Sequence, residues 1–227
     1  MTFGALLLDV GGVFLVPNGD LVTAALAEVG ADVEDADFQR AHFGGIVAVD
    51  REAKSTDDTL RYLQGYLGAL GVAGVDQPRA LTALLALWGE PSVDLWSQPI
   101  PESIRGLRRL AERGVPLGIV SNSDGTVEER LRRLRICQVG TGDGVQVLVI
   151  IDSSVVGVAK PDPRTFVPAI SALGLPADEV AYVGDSVRYD IEGSESAGLR
   201  PIHFDPYHGC QSHHPHRDIR TLDELIA

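Results

Sequence analysis

Apolar residues along this chain fall into two rhythms. Short continuous runs make up the first: Ala5 to Leu8, Val115 to Val120, Val145 to Ile151, Val180 to Val183 and Ile202 to Phe204. They end in turn at Asp9, at Ser121 with Asn122, at Asp152, at Gly184 with Asp185, and at Asp205. A short run without polar alternation predicts a strand covered on both faces, the condition of a parallel sheet. Between the runs the apolar spacing is helical, over Glu102 to Arg113, Val127 to Arg135, Arg164 to Leu173 and Ile191 to Ala197. Three of these patterns stop at Gly114, Gly174 and Gly198, and a glycine just past the last turn is the usual helix terminator. Strands and helices alternating at this length predict a doubly wound α/β sheet, whose ligands bind beyond the carboxyl ends of the strands.

From Pro17 to Gln98 the rhythm changes. Amphipathic helices are predicted over Thr56 to Leu70, closed by Gly71, and Pro78 to Trp88, closed by Gly89, and no strand stands out. The expected organisation is an α/β core of residues 1–16 and 99–227, interrupted after its first strand by an all-helical insertion of residues 17–98. Four of the six histidines lie between His208 and His216, with Cys210 among them. A metal cluster and a surface loop are both open there, and the irregular spacing with Pro and Gly favours the loop.

Charge narrows the partners. Lys and Arg number 19 against 32 Asp and Glu, a formal net charge of −13. That far field repels nucleic acid and anionic membrane surfaces alike, so neither is an expected partner. Cys137 and Cys210 lack the paired spacing of a zinc or disulfide site, no basic leader opens the chain, and no apolar stretch is long enough to span a bilayer. The expectation is a cytoplasmic protein of undetermined oligomeric state. Lysine occurs only at positions 54 and 160, so a lysine inside a motif is notable.

The candidate chemistry gathers where the predicted strands end: Asp9, Ser121 with Asn122, Lys160, and the pair Asp185 and Asp190. In their contexts LLLDVGGV, GIVSNS, GVAKPDPRTF and YVGDSVRYDIEGSESAGL, these residues resemble the four motifs of the haloacid dehalogenase-like hydrolases, in order and over the whole chain. The resemblance implies a Rossmann-like core with an α-helical bundle cap inserted after the first motif. It also implies a phosphatase acting on a small phosphorylated metabolite, with Asp9 as nucleophile and an aspartyl-phosphate intermediate. Mg²⁺ would be held by Asp9, the Gly11 carbonyl and Asp185, with Asp190 acting through water. Lys160 and the Ser121 hydroxyl would grip the phosphoryl group, and backbone N–H groups at Val10, Gly11 and Asn122 would complete the cradle.

One position departs from the pattern. Most phosphatases of that family carry a second Asp two residues after the nucleophile to move a proton, and here that residue is Gly11. The gap leaves four readings open. A phosphatase would draw its proton from water or from an insertion residue such as His42 or Asp50. A 2-haloacid dehalogenase releases a halide that needs no acid. Carbon–phosphorus cleavage would use Lys54. A non-catalytic phosphate- and metal-binding module would not turn over at all.

Overall fold

A computed structural model of the chain describes residues 3–33, 36–51 and 57–226. In chain order the elements are β1 Ala5–Leu8, β2 Leu15–Val16, α1 Gly19–Ala27, α2 Phe38–Asp50, α3 Asp58–Ala69, α4 Gln77–Trp88, β3 Gln98–Pro99, α5 Pro101–Glu112, β4 Leu117–Ser121, α6 Val127–Arg133, β5 Cys137–Val139, β6 Val145–Val147, β7 Val149–Asp152, α7 Ser153–Val156, α8 Val167–Leu173, β8 Val180–Gly184, α9 Glu192–Ser196, β9 Arg200–Phe204 and β10 Arg217–Ile219. Six strands form one sheet in the order β10-β9-β8-β1-β4-β7, and every pairing in it is parallel. The fold is the Rossmann-like α/β class that the strand–helix alternation predicts.

Burial explains why the strands read so clearly. Leu7 packs with Val120, Phe166, Ala169 and Tyr182 on one face. Leu6 and Leu8 point to the opposite face by strand alternation and are equally buried, so both faces of β1 are covered. The order of strands also locates the crevice. After β1 the chain moves outward through β4 and β7, then returns to β8 on the other side of β1 and continues to β9 and β10. Connections therefore diverge at β1, and the open space lies beyond its carboxyl end.

Three expectations need correction. The run Val145 to Ile151 is not one strand: Val145–Val147 pairs with β5, whereas Val149–Asp152 pairs with β4. Leu148, at the break, is 53% exposed, so its apolar character misled the pattern. The two late helices start differently as well, with a 3₁₀ turn at Pro163–Thr165 before α8 and a π-helical turn at Val187–Ile191 before α9. The insertion, read as strand-free over 17–98, meets a strand only at its last residue, Gln98, where β3 begins and pairs with β2.

The chain divides into two compact units. One comprises residues up to Phe14, Pro99–Pro206 and the residues from His214 onward, and the other comprises Leu15–Gln98 with Tyr207–His213. Tyr207–His213 thus joins the helical unit rather than the α/β core, its Tyr207 ring lying 5.4 Å from Phe43 and under the Arg40 guanidinium. Within the helical unit, Asn18, Asp37 and Asp57 cap α1, α2 and α3 with side-chain oxygens on first-turn N–H groups. Helices α2 and α3 cross closely at glycines, where a Cβ on Gly65 would lie 2.5 Å from the Gly44 carbonyl oxygen. His42 is buried there, its Nδ1 2.9 Å from the Tyr62 hydroxyl.

Candidate active site

Most of the candidate site is built from strand ends and the first turns beyond them. Asp9 follows β1, and its N–H still donates to Val183 O at 2.9 Å, which extends the ladder by one residue. The chain then reverses in a tight turn, with Val13 N–H on the Gly11 carbonyl, Phe14 N–H on the Val10 carbonyl, and Gly12 at φ 66°. That positive φ is why a glycine stands at position 12. Ser121 closes β4 and is buried, opposite Asp152 in the register of β4 and β7.

Lys160 reaches the site from the loop after α7. Its backbone is clamped by Asn122, whose Oδ1 accepts Lys160 N–H at 2.8 Å and whose Nδ2 donates to Lys160 O at 3.0 Å. The Asn122 side chain therefore anchors Lys160, leaving only its backbone N–H for any phosphate cradle. The ammonium lies 2.9 Å from Asp9 Oδ2, 2.6 Å from Asp190 Oδ1 and 2.9 Å from the Tyr182 hydroxyl.

The acidic pair of the fourth motif is positioned by the π-helical turn. Ile191 N–H bonds Ser186 O across the wide turn, which brings Asp190 back against the end of β8. Its Oδ2 accepts Ser186 N–H at 3.0 Å, while Oδ1 takes Lys160 and, at 3.0 Å, the Tyr182 hydroxyl. Gly184 is glycine for a steric reason: a Cβ there would lie 2.2 Å from Asp190 Cγ.

Asp9, Asp185 and Asp190, all buried, each offer a carboxylate oxygen within 4.8 Å of the others. Asp9 Oδ1 is buried and has no hydrogen-bond partner among the described residues. Such an atom is costly unless an ion or solvent meets it. Charge points the same way. Burial, offset in part by Lys160 and reinforced by Asp190 and Asp185, pushes the Asp9 carboxyl up to about 7. For Lys160, burial alone would depress the ammonium, but Asp190 and Asp9 outweigh it and hold it above its ordinary value. A divalent cation would bring further positive charge to these carboxylates. The donor set, hard oxygens around an orphaned carboxylate atom, fits Mg²⁺. The Gly11 carbonyl already takes Val13 N–H and has its second lone pair to give.

The structure thus gathers Asp9, Lys160, Asp185 and Asp190 by direct distance, and sets Val10, Gly11, Ser121 and Asn122 at the same strand ends. Tyr182 is the residue that sequence reasoning passed over. Burial first, then Asp190 and Asp9, keep its hydroxyl well above the ordinary range, so it stays a neutral donor. Its signal was a single hydroxyl in an otherwise aliphatic strand. His42 and Asp50 belong to the helical unit, and Lys54 lies outside the described residues. Of the histidine-rich stretch, His208 and His213 are exposed, but the His216 side chain is only 4% exposed and its ring meets His203 edge to face at 4.9 Å. The surface-loop reading holds for part of the stretch only.

Comparison with known proteins agrees with the fold. The family model of haloacid dehalogenase-like hydrolases matches residues 3–198, and the chain belongs to that family. The phosphoserine phosphatase of Thermus thermophilus is 33% identical over 105 residues, which are 46% of this chain and 40% of that one. The glyceraldehyde 3-phosphate phosphatase of Methanopyrus kandleri is 32% identical over 127 residues, 56% of this chain and 52% of that one. The chain spans about half the length of these curated relatives. Two solved structures share the fold at 21% identity. A HAD phosphatase from Thermococcus onnurineus has a TM-score of 0.57 over 99% of this chain and 96% of its own. A 2-haloacid dehalogenase from Pseudomonas syringae pv. Tomato has a TM-score of 0.55 over 99% and 97%. Among the described residues no helix is long and apolar enough to cross a membrane.

Proposed function

We propose that the chain is a Mg²⁺-dependent phosphatase of a small phosphorylated metabolite, with Asp9 as the nucleophile. The observation that carries this reading is the buried cluster of Asp9, Asp185 and Asp190 around an orphaned Asp9 oxygen, with the Lys160 ammonium 2.9 Å from the other Asp9 oxygen. Asp9, Asp185 and the Gly11 carbonyl would hold the ion, with Asp190 alongside. The bound cation would supply positive charge that lets a phosphate dianion approach a carboxylate.

An Asp9 carboxylate oxygen attacks phosphorus, and the bond from phosphorus to the leaving oxygen breaks with its electron pair on that oxygen. Because position 11 carries no acid, the leaving oxygen takes its proton from water. A water molecule then attacks phosphorus of the aspartyl-phosphate, the bond to Asp9 breaks with its electron pair on the carboxylate, the proton of the attacking water passes to the hydroxide left by the first step, and inorganic phosphate leaves. Lys160 neutralises Asp9 and the phosphoryl oxygens through both steps, and Asp190 with Tyr182 keeps the ammonium in place. The Ser121 hydroxyl and the N–H groups of Val10, Gly11 and Asn122 bind the remaining phosphoryl oxygens. A cytoplasmic setting suits the two free cysteines, Cys137 and Cys210.

The test is phosphate release from a chromogenic phosphomonoester and from a panel of small metabolite phosphates. Asp9→Asn is expected to abolish turnover while the variant still folds. Turnover that survives this change overturns the nucleophile, and a wild type that binds phosphate but turns over nothing supports a binding module instead.

A further inference from the structure

His203 stands outside every motif in the sequence, on β9 beside the end of β8, where it is in register with Gly184. It is buried, and its Nε2 lies 3.0 Å from the carbonyl oxygen of Asp185. A carbonyl only accepts, so Nε2 donates to it, and an ionised carboxylate only accepts, so Nδ1 donates to Asp218 in the same way. The other ring nitrogen, Nδ1, lies 2.8 Å from Asp218 Oδ1 on β10, and that same oxygen is 3.2 Å from His216 Nε2. The edge-to-face contact of the two imidazoles adds a third constraint on the His203 ring plane.

The target of this arrangement is one peptide group. The unit joining Asp185 to Ser186 has its oxygen held by His203 Nε2 and its N–H held by Asp190 Oδ2 at 3.0 Å. Rotation of that plane would break both bonds and change ψ of Asp185, the residue that bears the carboxylate. The carbonyl lies just past the last residue of β8, where the strand ladder ends, so the side chain of the neighbouring strand supplies the missing donor.

We propose that His203, oriented by Asp218, is a positioning residue for the metal site: it fixes the Asp185–Ser186 peptide, and through it the Asp185 carboxylate, in the geometry that receives the cation. The proposal rests on the Mg²⁺ reading above. Partners of this kind, one step removed from a ligand, typically change metal affinity by about 10- to 100-fold when removed.

The measurement is titration calorimetry of the whole purified chain with MgCl₂ alone, together with melting temperature in EDTA. His203→Leu is expected to weaken Mg²⁺ binding by about 10- to 100-fold. His203→Gln, whose side-chain amide N–H replaces the Nε2 donor, recovers most of that loss. Asp218→Ala, which removes only the half-exposed orienting carboxylate, gives a smaller loss and covers the case in which His203→Leu does not fold. A purely structural role would lower the melting temperature in EDTA and leave Mg²⁺ affinity at the wild-type level in all three variants, and that result overturns the proposal while the phosphatase reading stands. If the wild type itself takes up no Mg²⁺, the metal reading falls and the positioning role falls with it.

Discussion

At the scale of single residues, the protonation of Asp9 couples stability to the proposed ion. Its folded-state value of about 7 lies above the ordinary 3.8 because burial and two neighbouring carboxylates outweigh Lys160. Between those values the folded chain holds a proton that the unfolded chain has released. Stability from this residue is therefore greatest below the unfolded value, falls as pH rises through the window, and is level above about 7. In EDTA, the melting-temperature advantage of Asp9→Asn over the wild type is expected to grow from about pH 4 to about pH 7 and then flatten. Saturating Mg²⁺ should stabilise the wild type alone and reverse the order. Parallel melting curves at all pH values would show that the cluster does not crowd Asp9. Asp9 and Asp185 were legible as charged groups closing apolar runs, and Lys160 and Asp190 through the motifs that resemble those of the family. Tyr182 and His203 were not, because what they do depends on which strands are neighbours. The Asn122 clamp on Lys160 spans 38 residues of sequence and leaves no local trace.

At the scale of elements, the late site depends on the junction between β8 and the π-helical turn. An ordinary α-turn would set Asp190 elsewhere, and wide turns of this kind recur at functional sites. Gly184→Ala tests the junction directly, since the new Cβ would overlap Asp190 Cγ and displace the carboxylate that holds Lys160. Overpacking of this sort typically costs about 1–3 kcal/mol. A melting temperature lowered accordingly is expected, with phosphate release reduced beyond what the lost folded fraction explains. An unchanged rate at an unchanged melting temperature would mean that Asp190 has freedom the packing denies. The central strands were readable from the sequence because both of their faces are buried. The edge strand β10 was not, since Ile219 is its only apolar residue, and neither was the split between β6 and β7, since Leu148 continues an apolar run while facing outward. The start of α8 was placed three residues early, at the 3₁₀ turn, and the π turn before α9 went unread, because apolar spacing does not distinguish those windings from an α-turn.

At the scale of the whole molecule, a chain of net charge −13 is proposed to take an anionic substrate, and only local charge reconciles the two. The fold by itself does not choose the chemistry, because it is shared with both a phosphatase and a dehalogenase. Two features do. The orphaned Asp9 oxygen among three carboxylates calls for a cation, which favours phosphate over halide. Glycine at position 11 removes a proton donor from the turn after β1, which favours substrates whose leaving group departs as an anion. General acid catalysis is typically worth about 10²- to 10⁴-fold, so its loss should be visible across a substrate series. Phosphate release from aryl phosphates is expected to fall steeply as the leaving group's pKa rises, and to stop in EDTA. No chloride should be released from 2-haloacids with or without EDTA. A flat series would show that another group delivers the proton, with His42 and Asp50 of the helical unit the first to replace. Halide release that persists in EDTA would overturn the phosphatase assignment, because a metal-free carboxylate would then be displacing halide at carbon.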